Sequence, residues 1–220
     1  MTTSPLHLRD GHLFLEADGA WWLLDTGAPE SFGPGLELAG ETFSLPAGTL
    51  GLDPPGLSRL VGVDCAGLLG ADVLGRFDVV LDVPAGTITL STGTLEHAGR
   101  EIPLRAFMGI PIVPVRIAGR DYAMFLDTGA QFSYFEDESI ATFPSAGTAT
   151  DFYPGVGEFE VDTHAVEVTL GGIPFTLRCG NLPELLAAAL MVSGVQGIVG
   201  NEVLRDRPAG YFPRRRLLVL

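Results

Sequence analysis

Leu23-Leu24-Asp25-Thr26-Gly27-Ala28 and Phe125-Leu126-Asp127-Thr128-Gly129-Ala130 set the same tetrapeptide, Asp-Thr-Gly-Ala, at the end of two apolar runs 102 residues apart. A second matched feature follows each copy: Gly67-Leu68-Leu69-Gly70-Ala71-Asp72-Val73-Leu74, then Gly197-Ile198-Val199-Gly200-Asn201-Glu202-Val203-Leu204, displaced by 130. Paired motifs in the same order make the chain an internal duplication. Ser31 matches Ser133 at 102, whereas Gly40 and Phe43 match Gly172 and Phe175 at 132. The second repeat therefore carries an insertion of roughly 30 residues between about Tyr134 and Val166.

Alternation in Leu13–Glu16, Ile112–Ile117 and Ala165–Leu170, bounded by Gly, Pro and Asp, predicts short β-strands. The segment Pro183–Met191, rich in helix formers and followed by Gly194, is the best helix candidate, and short turns are expected after Gly70 and Gly200. The 29 glycines and 16 prolines suit a turn-rich all-β protein rather than disorder, because 46% of the residues are apolar and can build a core. The repeat divides the chain into segments 1–95 and 96–220, joined near Leu95 to Arg105.

A net charge of −14 arises from 27 acidic residues against 13 cationic ones, all of them arginine. Nucleic acid is thereby disfavoured as a partner, since backbone binding needs clustered cations. The run Arg214-Arg215-Arg216 is expected to lie solvated in the final strand. Without lysine there is no Schiff base to a carbonyl cofactor and no phosphate loop of the usual kind. Cys65 and Cys179 occupy non-equivalent places and are expected as buried thiols. His7, His12, His97 and His164 lack ligand spacing, so neither a metal nor any other cofactor is expected. The N-terminus has no export-like apolar stretch and no window reaches the length of a membrane span, which predicts a cytoplasmic protein without a membrane partner.

A single Asp-Thr-Gly makes an ordinary turn, its aspartate and threonine bonding nearby backbone and its glycine supplying unusual dihedrals. Two copies in matched contexts can instead bring Asp25 and Asp127 together. Adjacent carboxylates resist simultaneous ionisation and share one proton, so one serves as base and the other as acid towards a water between them. Gly27 and Gly129 leave room beside the carboxylates and offer a backbone N–H there.

On these motifs the chain resembles the aspartic proteases, and more closely their retropepsin-like branch, over nearly its whole length. The resemblance implies an acid-protease fold of two β lobes about a pseudo-twofold axis with few short helices, and an endopeptidase acting on a peptide or protein substrate. It implies catalytic roles for Asp25 and Asp127, threonines Thr26 and Thr128 that reach across the axis, and Gly70 and Gly200 packed beneath the loops that Ala28 and Ala130 complete. The inserted segment is similar to a flap, with Phe152, Tyr153, Pro154, Gly155, Val156 and Gly157 at its tip; the first repeat, 45 positions from Asp25 to Gly70 against 73 from Asp127 to Gly200, is expected to lack one. Gln131 and Phe132 stand where retroviral members grip substrate, opposite Pro29 and Glu30, so the two halves of the cleft should hold substrate unequally. Ala28, Ala130, Phe132, Phe152 and Tyr153 suggest an apolar preference. Three readings stay open: a monomeric single-chain protease, a silent peptide-binding module, and a homodimer with repeats paired between chains.

Overall fold

The computed structural model describes residues 1–153 and 156–220. They are mostly β, with helices at Pro54–Val61, Ala71–Leu74 and Glu184–Ser193. The last falls on the expected segment: Leu186 and Leu190 are buried one turn apart, and Gly194 caps it in the left-handed region at φ 72°. Pro54–Val61 is not foreseen by the sequence reading, although its signals are ordinary. Asp53 accepts a hydrogen bond from the Gly56 N–H at 2.8 Å, and Pro54 and Pro55 stand in the first turn, where no N–H is needed. Leu57 and Val61 face inward, and Gly62 ends the helix at φ 70°. Among the described residues no helix is long and apolar enough to cross a membrane.

The strand Ala20–Leu24, which delivers Asp25, pairs in parallel with Gly67–Leu69. Arg120–Leu126, which delivers Asp127, pairs in parallel with Gly197–Val199. The two kinds of sequence motif recur together because each aspartate strand has the later apolar run as its hydrogen-bonded neighbour. Phe32 bridges Leu68, and Tyr134 pairs with Ile198, at corresponding places on the far side.

Nine strands form one sheet and eight form another. In the eight-stranded sheet an additional pairing of Ile110–Ile117 with Gly157–Leu170 closes a ring of six strands. From that ring the hairpin Ser145–Tyr153 and Gly157–Leu170 projects, paired as far as Tyr153 with Gly157. The nine-stranded sheet is built by both halves of the sequence. After Thr2–Arg9 come Thr87–Ser91, Asp78–Asp82, Pro208–Phe212, Leu217–Val219 and Glu101–Pro103, so the last hairpin of the chain lies between strands from residues 78–82 and 101–103. One continuous core gathers Leu24, Leu81 and Ile88 with Leu126, Tyr211 and Leu218. Cys65 and Cys179 are buried free thiols, as expected.

The arginine run is solvent-exposed, as expected, but it stands in a turn rather than in a strand. Pro213–Arg215 forms the turn between the last two strands. Arg214 and Arg215 each hold one oxygen of Asp78 at 2.9 Å, and the Leu95 N–H donates to the same carboxylate at 3.0 Å. Asp78 is only 1% exposed. Arg214 also donates to the carbonyls of Thr92 and Gly93, and Arg215 to that of Leu95, so the connection between the halves is clasped by cations from the end of the chain. Deleting the buried carboxylate leaves the Leu95 N–H and two partly exposed guanidinium groups without their acceptor. Asp78→Ala should lower the unfolding free energy by about 1–3 kcal/mol, measured by urea denaturation; a loss below about 0.5 kcal/mol, the size of an ordinary surface change, would show that the clasp contributes little.

Candidate active site

Asp25 and Asp127 begin matched loops. Each is anchored by its own N–H, donated to the Leu69 carbonyl at 3.0 Å and to the Val199 carbonyl at 2.9 Å. The Ala28 N–H donates to Asp25 Oδ1 at 2.8 Å; the Gly129 N–H donates to Asp127 Oδ1 at 2.9 Å, with Ala130 behind it at 3.3 Å. The glycines are required by the opposite loop. A Cβ on Gly27 would lie 2.3 Å from Asp127 Cγ, and one on Gly129 would lie 2.6 Å from Asp25 Cγ. Each aspartate thus occupies the space where its partner loop has no side chain, and the two carboxyl groups meet. Both are half-buried, set deep among protein atoms with one face open. Burial pushes the pKa of both above the usual carboxylate range, and for Asp25 the charge of Asp127 pushes further. The pair holds one proton between its members under conditions in which a free carboxylic acid would have lost it.

The threonines lock this floor reciprocally. Thr26 Oγ1 donates to the Leu126 carbonyl at 2.6 Å and accepts from the Thr128 N–H at 3.0 Å. Thr128 Oγ1 donates to the Leu24 carbonyl at 2.8 Å and accepts from the Thr26 N–H at 3.0 Å. All four bonds are buried, and no hydroxyl is left over for solvent. Behind the loops, a Cβ on Gly70 would strike the Ala28 carbonyl at 2.7 Å, and one on Gly200 would strike the Phe132 carbonyl at 2.5 Å. The N–H groups of these glycines donate to Ser31 Oγ at 2.8 Å and Ser133 Oγ at 3.0 Å.

Above the pair lies a cavity of about 150 Å³. Gly27, Ala28, Gly129 and Ala130 form part of its lining, and Phe152, Tyr153 and Phe159 reach it from the projecting hairpin. Tyr153 is nearly half exposed, yet its hydroxyl pKa is raised, first by burial and then by Asp127 and Asp25. Val156 and Gly157 do not line the cavity, and Pro154 and Gly155 lie outside the described residues. Two expected cleft residues belong elsewhere. Phe132 is buried in a cluster with Tyr134 and Val161 and does not line the cavity. Gln131 reaches the hairpin, donating to the Thr150 carbonyl at 3.5 Å, and its carbonyl accepts from Arg205 at 2.6 Å. The first half has no long hairpin, but its tight turn at Thr49–Leu52 supplies Thr49, Leu50 and Leu52 to the cavity rim.

Several lining residues escaped the sequence reading. His12 is 4% exposed, and its Nδ1 lies 3.0 Å from the Gly129 carbonyl. Tyr134 donates to Asp151 Oδ2, and both line the cavity. Asn201, fully buried, donates to the Gly11 carbonyl at 2.8 Å and the Thr128 carbonyl at 3.2 Å, tying the turn before His12 to the second loop. The only sequence signal for Tyr134 and Asn201 was position within the matched motifs; for His12 there was none, since its approach is set by how the halves meet.

The raised carboxyl pKa values carry a stability consequence. Below the ordinary carboxylate pKa both folded and unfolded chains are protonated; as pH rises through the window up to the raised folded value, the unfolded chain loses its proton more readily and folding is weakened. Asp25→Asn should therefore melt a few degrees above the wild type at neutral pH, the difference vanishing near pH 3; a variant less stable at pH 7 would contradict this electrostatic account. No protein-family model matches the chain, and no curated protein matches it.

Proposed function

We propose that this protein is an aspartic endopeptidase of retropepsin-like type, with its two repeats, 1–95 and 96–220, folded as lobes about a pseudo-twofold axis and a single hairpin as the lid. The observation that carries the reading is the meeting of Asp25 and Asp127, from equivalent loops, on the floor of one cavity under Tyr153. A pair sharing one proton holds both a base and an acid at the same place.

In the proposed reaction a water lies between the carboxyl groups and attacks the peptide carbonyl carbon. The ionised carboxylate takes the water's proton, and the protonated partner donates its own to the carbonyl oxygen as the tetrahedral intermediate forms. Collapse breaks the C–N bond, the nitrogen leaves with the proton the base had taken, and the diol hydroxyl returns its proton to the other carboxylate. No side chain acts as nucleophile. The N–H groups of Gly129, Ala28 and Ala130 hold the carboxyl oxygens in place for both transfers. An extended substrate segment suits the cleft, since the hairpin above can grip its backbone while alternate side chains enter the walls.

Asp25→Asn and Asp127→Asn should each remove nearly all peptide hydrolysis without loss of fold, because an amide serves in neither role, and the double variant should be no worse than either. Substantial hydrolysis by either single variant, in a preparation free of other proteases, would end the paired-carboxylate mechanism. Binding of a cleavable peptide by the wild type without turnover at any pH would favour a silent binding module.

Both loops of the pair come from one chain, so the proposed active species is a monomer. Titration with a peptide mimic of the tetrahedral intermediate should give one equivalent per chain, with activity per mole unchanged on dilution; activity that falls on dilution would favour pairing between chains.

A further inference from the structure

The two walls of the cavity differ in chemistry. Beside Asp25 the lining is mostly apolar, with Leu23, Phe32, Leu52, Leu57 and Leu68, while Glu30 and Thr49 stand at its rim. Beside Asp127 stand His12, Tyr134 and Asp151, together with the apolar Phe159, Leu182 and Ile198. The Asp151 carboxylate takes the Tyr134 hydroxyl on Oδ2 and the Phe152 N–H on Oδ1 at 2.9 Å, both neutral donors. Among the described residues no arginine pairs with it. His12 is held through Nδ1 by the Gly129 carbonyl, which makes that nitrogen the donor and leaves Nε2 as an acceptor. Nε2 has no hydrogen-bond partner among the described residues, although the side chain is buried and lines the cavity. The Tyr134 oxygen, its proton given to Asp151, keeps its lone pairs.

The polar groups of this wall therefore present acceptors, and one of them is a carboxylate with no cation beside it among the described residues. An apolar side chain placed there would leave His12 Nε2 without a donor, and no neutral side chain would balance the carboxylate's charge. A cationic donor satisfies both. We propose that the wall beside Asp127 is a subsite for a lysine or arginine side chain of the substrate, seated between Asp151 and His12 Nε2, across the scissile bond from an apolar subsite beside Asp25. This rests on the peptidase reading above and names its substrate class: segments with a bulky apolar residue on one side of the cleaved bond and a basic residue on the other. The acidic chain, with its net charge of −14, draws such segments towards the cleft.

The test uses the full-length protein and peptide mimics of the tetrahedral intermediate that are identical except for lysine or norleucine at each position flanking the central group. Calorimetry at pH 7 should show the lysine peptide binding about tenfold tighter than its norleucine counterpart at one flank, equivalent to about 1.4 kcal/mol. Asp151→Asn, which keeps an acceptor for the Tyr134 hydroxyl, should bring that ratio close to one. His12→Phe should reduce it several-fold, with thermal melting confirming that each variant is folded. Equal or weaker binding of lysine at both flanks, or a ratio that survives Asp151→Asn, would overturn the subsite. Hydrolysis of library peptides with no basic preference would end the subsite and leave the peptidase standing. Lysine-selective binding with no hydrolysis at any pH would keep the subsite and end the peptidase. Failure of every mimic to bind would end both.

Discussion

Two carboxylates are forced into contact by the absence of two side chains. Gly27 and Gly129 each leave a gap that the opposite aspartate fills, and no residue with a Cβ fits either place without displacing a carboxyl group. Like charges at such separation repel, so the arrangement persists only where other interactions over-determine it. The threonines supply them. Four buried hydrogen bonds cross between the loops in two reciprocal sets. Beneath them Leu24, Leu126, Leu81 and Leu218 form an apolar bed that keeps water from competing for those bonds.

The floor is duplicated because its geometry is reciprocal, while the walls carry no such constraint. The helix Pro54–Val61 and the turn Thr49–Leu52 build an apolar side from the first half. The second half contributes the hairpin Ser145–Leu170, braced at its base by Thr163 bonded to the Gly147 carbonyl and by Arg178 bonded to Thr148 and Thr163. Divergence of this kind converts a symmetric pair of carboxyl groups into a cleft with distinguishable ends, which any discrimination between the two ends of a bound ligand requires.

Holding the floor still also depends on the sheet beneath it. The last hairpin of the chain lies between strands from much earlier in the sequence, and Arg214 and Arg215 reach back to a carboxylate buried at Asp78. Relative rotation of the two halves would break backbone ladders and leave that charge unpaired, so the aspartates keep their mutual position.

The repeat, the β character, the two aspartates with their threonines and glycines, and the helix at Glu184–Ser193 were all legible along the chain, because each is written in local pattern: period-two alternation, glycine where a side chain would not fit, a cap where a helix ends. The helix at Pro54–Val61 had equally local signals in Asp53, Pro54 and Gly62, set in a stretch rich in glycine and proline that reads equally as a turn. What tertiary structure alone decided is the neighbourhood of the pair. His12 meets Gly129 across 117 residues, Asn201 meets Gly11 across 190, and of the clustered Phe132 and Tyr134 only Tyr134 lines the cavity. A sequence states which residues can carry a proton or a charge. Which of them share a wall depends on how the two halves close on each other, and no local pattern records that.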